Sequence, residues 1–348
     1  MSFSNILIYW YLQNKRDLPW RNTKNPYFIW LSEIILQQTR VNQGLDYYTK
    51  FITSFPTIFD LANASEESVL KLWQGLGYYS RARNLHYSAK YIVKELNGNF
   101  PGCYNDLIKL KGVGDYTASA IASICFNEPT AVVDGNVYRV LARYFGLNTP
   151  INSTKGIKEF KQLSQLLQDP DKPDMHNQAI MEFGAVQCKP QNPDCNGCPL
   201  NTSCIAWQKN QVDSFPVKEK KKSVKKRYFN YLVICDIEGR ILLKQRRNKD
   251  IWQGLYEFPL VETPNEIQQN ELVNTPNFNK IVPNKKASIS LFNTGDIIHK
   301  LTHQHLYTKF WIIEIDKKID KSITWLEFEK YPVPILIHNF VENFKTKA

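Results

Sequence analysis

Cys188, Cys195, Cys198 and Cys204 stand in the spacing Cys-x6-Cys-x2-Cys-x5-Cys. Four thiols within 17 residues constrain the chain more than any other feature it carries. Pro190, Pro193, Gly197 and Pro199 bend the intervening backbone, so the thiols can converge on one centre. Thiolates suit either an iron–sulfur cluster or Zn²⁺, and Cys-x2-Cys pairs also occur in zinc ribbons, so spacing leaves both open. Cys103, Cys125 and Cys235 are isolated and are expected as small buried apolar residues. An odd total of seven cysteines argues against a disulfide framework.

A chain of 348 residues predicts two domains. Hydrophobic residues make up 43% and charged residues 22%, which excludes disordered and fibrous classes. No apolar run approaches the length of a membrane span, and Asn14–Asp17 interrupt any signal-like start, so a cytoplasmic, membrane-free protein with reduced thiols is expected. The net charge is +11, but residues 218–227 (KEKKKSVKKR) alone hold seven basic residues against one acidic. The excess is therefore concentrated in one run, which reads first as a solvated linker over 211–227.

Before that linker the chain reads as helical. Apolar residues recur at three and four spacings in Ile6–Leu12, Phe28–Leu36, Ala82–Leu96, Thr117–Phe126 and Val137–Phe145. After Arg227 the texture changes. YFNYLVICDIEGRILLKQR predicts two β-runs around Glu238-Gly239, LYTKFWIIEI a strand, and Ile335–Phe344 a closing helix. Polar, Asn-rich 261–286 predicts a loop. The second domain is expected as α+β.

Three segments carry chemistry. Gly112-Val113-Gly114 joins two helical runs, and its glycines permit a tight turn that offers backbone N–H groups to a phosphate. Asp134, 20 residues after Gly114, opens the next helix, either as an N-cap or as a working carboxylate. Glu33 sits in SEIILQQTRV. Spacing alone favours an exposed acid on a polar stripe; burial beside Ile34–Leu36 would instead raise its pKa and keep a proton near neutral pH. Gln37-Gln38-Thr39 either ends that helix or offers amides to base edges.

Together these residues resemble the helix–hairpin–helix DNA glycosylases with an iron–sulfur cluster, the endonuclease III superfamily, and within it the MutY-type adenine DNA glycosylases. LPWR (18–21), SEIILQQTRV (32–41), LWQGLGYYSRARNL (72–85), LKGVGDYTA (110–118), VVDGNVYRVLAR (132–143) and NQAIMEFGAVQC (177–188) match that family's motifs in order and spacing. WQGLYEFP (252–259) and LTHQHL (301–306) resemble its C-terminal domain more weakly.

The resemblance implies an all-α glycosylase domain over 1–210 with a 4Fe–4S cluster on Cys188, Cys195, Cys198 and Cys204. It implies a MutT/Nudix-like α+β domain over 228–348. Glu33 matches the acid that protonates adenine N7, and Asp134 the carboxylate that stabilises the oxocarbenium ion. Tyr116 and Asn136 orient them, and Trp20, Arg21 and Gln178 form the adenine pocket. Gln38, Thr39, Leu76 and Tyr78 surround the orphaned base, with Tyr78 as wedge, and Thr302 and His303 lie in the 8-oxoguanine loop. The implied partner is duplex DNA holding adenine opposite 8-oxoguanine or guanine, bound by a monomer, with the basic run free for a replication or repair protein.

The departures refine the expectation. A Lys stands at the position of Tyr116 in the lyase branch, so no amine is in place for a Schiff base, and a monofunctional enzyme is expected. Leu301-Thr302-His303 replaces the usual Phe-Ser-His. The Glu-rich signature of nucleotide hydrolases is absent, which predicts a C-terminal domain that binds without hydrolysing. Two other readings stay open: a bifunctional glycosylase/lyase for oxidised pyrimidines, and a non-catalytic lesion-binding protein.

Overall fold

The computed structural model describes residues 2–219, 224–282, 287–293, 295 and 297–346. The heart of the basic linker, residues 220–223, lies outside the described residues. The chain divides into two compact units, 1–63 with 84–221 and 64–83 with 222–348. The segment 64–83, which reads from sequence as part of the first helical region, thus belongs to the compact unit of the C-terminal residues.

The first unit is helical. Each predicted helix is present and slightly longer than its apolar repeat: Phe3–Asn14, Pro26–Leu36, Ser80–Leu96 (which enters the second unit), Asp115–Phe126 and Gly135–Phe145. Three further long helices, Val41–Ser54, Thr154–Leu167 and Pro173–Val186, complete it. Local chemistry sets the ends. Asn25 caps Pro26–Leu36 through a bond from Tyr27 N–H, with Pro26 in the first turn. Gly146 ends Gly135–Phe145 in the left-handed conformation. Pro173–Val186 packs against Phe3–Asn14, Asp115–Phe126 and Gly135–Phe145, which makes it the central helix of this unit.

Among the described residues, the second unit holds seven strands: β1 (Lys225–Cys235), β2 (Lys244–Gln245), β3 (Tyr256–Glu257), β4 (Leu260–Thr263), β5 (Ser288–Leu291), β6 (Ile297–Lys300) and β7 (Gln304–Glu314). The main sheet runs β4-β1-β7-β5, with β6 also on β7, and β2–β3 form a separate pair. β1 and β7 are parallel from Lys225↔Gln304 to Cys235↔Glu314; the other neighbours are antiparallel. Alternation sends Leu232, Ile234, Trp311 and Ile313 to one face, where they meet Leu272 and Phe278. Tyr231 and Phe310 go to the other face, and Phe310 stacks on Phe340 of Ile335–Lys345 at 4.0 Å.

Two expectations change. The polar segment 261–286 is not one loop over its described residues: β4 and the short helices Gln269–Val273 and Pro276–Ile281 lie in it, and residues 283–286 lie outside the described residues. Sparse anchors suffice there, because Leu272 and Phe278 are buried and Thr275 caps the second helix. Cys103, Cys125 and Cys235 are only partly buried, not core residues.

Candidate active site and recognition surface

Pro26–Leu36 is buried almost all round, and Glu33, read from spacing as exposed, is only 8% exposed. Burial raises its carboxyl to about 7; a hydrogen bond with Tyr116 and the nearby Arg21 oppose this, while the charge of Asp134 adds to it. Across a cavity of about 520 Å³, lined also by Trp20, Arg21, Gln38, Thr39 and Gln178, stand Tyr116, Asp134 and Asn136. Nine of the residues named from sequence therefore meet, as Glu33 completes this set.

Asp134 is an N-cap that also lines the cavity. It caps Gly135–Phe145, with Oδ1 accepting from Asn136 N–H at 2.9 Å and Val137 N–H at 2.8 Å. Asn136 Nδ2 donates to its Oδ2 at 2.7 Å. Burial still moves its pKa upward against these donors and Arg139, so the helix N-terminus does not by itself hold it low. The turn around Asn136 lies hard against Gly184, where an added Cβ would meet the Asn136 carbonyl oxygen at 2.9 Å. Only a glycine lets Pro173–Val186 approach the turn around Asn136 so closely.

Arg139 links this turn onward. Its Nη2 donates to Asn136 Oδ1 at 2.9 Å and to Gly184 O at 2.5 Å, and its Nε to Cys188 O at 2.7 Å. Tyr116, partly buried, has its pKa driven well above the usual value by desolvation and by the two carboxylates. Its hydroxyl also donates to Met181 Sδ at 3.2 Å. That proton and a protonated Glu33 are compatible, because Glu33 can then donate to the Tyr116 oxygen.

Sequence reasoning missed Glu182. It is 1% exposed and accepts from Arg16 Nη2 at 2.7 Å and Arg21 Nη2 at 2.6 Å. Burial pushes its pKa up, but the hydrogen bonds from both guanidiniums outweigh burial and hold it at about 2. Tyr11 ties the neighbouring wall, donating to Gln178 Oε1 at 3.1 Å beneath the Arg21 guanidinium. The available signal was the one that marked Glu33: an acid inside an apolar helical run.

The other predicted groups form separate sites. Gly112 has φ +85°, and a Cβ there would meet Asn84 Cβ at 2.7 Å; Gly114 is the N-cap residue of Asp115–Phe126. Buried Val113 anchors the hairpin between them. Cys188, Cys195, Cys198 and Cys204 line one pocket with Arg143, Phe183 and Trp207. Arg143 Nη1 lies 3.5 Å from Cys188 Sγ. Among the described residues, no three His, Cys, Asp or Glu side chains close on a single metal-ion position.

Leu76, Tyr78, Thr302 and His303 belong to the second unit and take no part in the cavity of the first. Tyr78 has φ +47°, an uncommon conformation for a bulky residue, after Gly77 at φ +71°. Trp73 Nε1 donates to Gly77 O at 3.0 Å and Arg81 Nη2 to Leu76 O at 3.3 Å, pinning the turn. The half-exposed Tyr78 hydrogen-bonds Thr302 Oγ1 through its hydroxyl. Thr302 and His303 are exposed. Leu301 N–H closes their turn on Gln304 O at 2.9 Å.

Comparison with known proteins decides the family. Residues 31–166 match the HhH-GPD superfamily base excision DNA repair protein model, and residues 230–343 the NUDIX domain model. An adenine DNA glycosylase of Buchnera aphidicola is 37% identical over 313 residues, spanning 89% of this chain and 86% of the relative. The chain belongs to the adenine DNA glycosylase family. The human adenine DNA glycosylase is 33% identical, covering 95% of this chain and 71% of its own. Among solved structures, a thermostable thymine-DNA glycosylase aligns over 60% of this chain and 95% of its own, with TM-score 0.55 and 29% identity. An endonuclease III–DNA complex at 22% identity and TM-score 0.52 shares the fold. No described helix is long and apolar enough to cross a membrane.

Proposed function

We propose that this chain hydrolyses the N-glycosidic bond of adenine mispaired with 8-oxoguanine or guanine in duplex DNA, as a base-excision repair enzyme. The observation that carries this is the entry of Glu33 and Asp134, from different helices, into one cavity with Tyr116 and Asn136. A stacked base cannot reach a cavity, so the adenine is flipped out, and Tyr78 serves as the wedge that fills the gap.

Adenine leaves poorly until protonated. Glu33, held near pKa 7 by burial, gives its proton to N7. The C1′–N9 bond breaks with its electron pair going to adenine. The Asp134 carboxylate faces the cationic sugar, stabilising it directly or as a transient adduct that water then opens. Asn136 and Tyr116 keep both carboxyl groups oriented, and Trp20, Arg21 and Gln178 hold the base. Tyr116 offers no amine, so no Schiff base forms and the strand is not nicked.

Gln38, Thr39, Leu76, Tyr78, Thr302 and His303 are assigned to the base opposite, and Gly112-Val113-Gly114 to backbone phosphate. The domain assignment is a glycosylase domain over 1–210 and a reading domain over 228–348. Cys188, Cys195, Cys198 and Cys204 fit a 4Fe–4S cluster: four soft donors line one pocket, with Arg143 beside them to offset negative charge. Bound there, it would tie the segment around Cys188–Cys204 together and supply no step of base release.

The test is single-turnover cleavage of a duplex with adenine opposite 8-oxoguanine, guanine or thymine, each split into untreated and alkali-treated halves. Alkali-dependent cleavage, fastest opposite 8-oxoguanine, is expected. Nicking without alkali would favour a lyase. Binding without cleavage by cluster-replete protein would favour a lesion-binding role.

A further inference from the structure

β1 begins where the basic run ends. Lys225 N–H donates to His303 O at 3.1 Å, so the run enters the sheet beside the Thr302–His303 turn. Register then aligns its side chains. Lys226 lies opposite His305 and Tyr228 opposite Tyr307 on β7, while Lys300 of β6 lies opposite the same His305. Directly paired residues share a face of a sheet, so Lys226, His305 and Lys300 form a row about 10 Å across three strands. Behind it the Tyr228 and Tyr307 rings stack at 5.2 Å, with Lys226 Nζ 5.7 Å from the Tyr307 ring.

Charge on this face is uncompensated. Lys226 and Lys300 are exposed, and neither has an acidic partner within ion-pair distance among the described residues. The acids of this end are engaged elsewhere, Glu262 by Arg227 at 2.7 Å and Glu266 by Lys309 at 2.8 Å. Lysines interleaved with tyrosine hydroxyls are a donor set for phosphate oxygens, and they read no base.

We propose that this face (Lys226, Lys300 and His305, with Tyr228 and Tyr307) binds backbone phosphates of duplex DNA on the strand whose base the Thr302–His303 turn reads. The basic run is then more than a linker, since its last residues form the first strand of a phosphate-binding surface. The choice of strand rests on the proposed reading role of that turn; the phosphate binding itself does not.

The test uses the full, cluster-containing chain and equilibrium binding to a short duplex across a series of salt concentrations. Lys226→Gln/Lys300→Gln is compared with Lys317→Gln/Lys321→Gln, an equal charge loss beyond the far end of β7. Each phosphate contact contributes about 0.9 to the salt slope, so the first variant should bind with a slope shallower by about 2. Its affinity at moderate salt should fall about tenfold or more, while the second variant matches wild type. An unchanged slope in the first variant, with its thermal unfolding intact, overturns the proposal and leaves the face to an acidic protein partner. Equal losses in both variants also overturn it, because the effect is then net charge alone.

Ethylation interference on a duplex with 8-oxoguanine opposite a non-cleavable adenine analogue locates the contact. Ethylated phosphates flanking 8-oxoguanine should weaken wild-type binding and not that of the double variant. Interference confined to the adenine strand overturns the strand assignment. No readout requires base release, so a failure of the glycosylase reading would be seen separately, in the cleavage assay.

Discussion

Glu33 and Glu182 face the same cavity and are displaced in opposite directions. Glu33 has its pKa raised from 4.5 to about 7, so the stability tied to it is complete below pH 4.5 and is lost as pH rises to about 7. At about 1.4 kcal/mol per unit this amounts to about 3 kcal/mol. Glu33→Gln, neutral and nearly isosteric, should abolish base release, retain duplex binding and unfold at higher urea than wild type near pH 8. Cleavage at near the wild-type rate would remove Glu33 from its role. In wild type, base release limited by Glu33 protonation should fall about tenfold per pH unit above about 7.

Glu182 has the reverse sign. Its pKa is depressed to about 2, so its contribution is present above the ordinary glutamate value of 4.5 and is lost as pH falls toward 2. Glu182→Ala strands Arg16 and Arg21 without their carboxylate and should cost about 3–5 kcal/mol in denaturant unfolding. Glu33 trades stability for a usable proton, whereas Glu182 holds the wall that receives the base.

At the scale of elements, Gly135–Phe145 does two jobs at once. Asp134 caps its start, and Arg139 and Arg143 reach from its body to the backbone and thiol of Cys188. Arg139→Gln removes the donor that pins Asn136 and Gly184. It should slow single-turnover base release about tenfold, by loosening the Asp134 carboxylate, with duplex affinity little changed. Arg139→Lys should not rescue it, because one ammonium cannot reproduce a planar fork. Equal losses of rate and affinity would mark a purely structural role. The hairpin differs in kind. Gly112→Ala combines φ +85° with a 2.7 Å approach to Asn84, so it should weaken binding to matched and mismatched duplexes alike.

At the scale of the whole molecule, the recognition residues are divided in an unexpected way. Residues 64–83, with Leu76 and Tyr78, fold with the C-terminal sheet: Lys71 Nζ donates to Tyr331 O at 3.1 Å, Arg83 Nη1 to Gln253 O at 2.6 Å and Val333 N–H to Gln74 Oε1 at 3.2 Å. Tyr78 and the Thr302–His303 turn are therefore parts of one compact unit, and Glu33 and Asp134 are parts of the other. A chain cut after Glu219 should lose more than 8-oxoguanine discrimination. Limited proteolysis should cleave it within 64–83, where the intact chain resists. If that segment stayed protected, its packing would not depend on the C-terminal residues.

Much of this protein was legible in its linear order. Five long helices of the first unit followed from apolar periodicity, the turn at Gly112 from glycine's freedom at positive φ, and the grouping of four cysteines from spacing, since each depends on residues close in the chain. The motifs named the cavity residues for the same reason. What the order could not show were the relations between distant segments. Glu33 looked exposed because periodicity counts neighbours along its own helix and not the helices that cover it. Leu272 and Phe278 were lost in a polar stretch because two anchors make no pattern until a sheet face meets them. Lys226, His305 and Lys300 became one row only through strand register, and Glu182 became a partner of Arg16 and Arg21 only through packing. Sequence by itself determined the local elements and the chemical groups they carry. Tertiary structure alone decided which groups are desolvated, and by that their protonation and their role, because burial and pairing are set by contacts that backbone order does not encode locally.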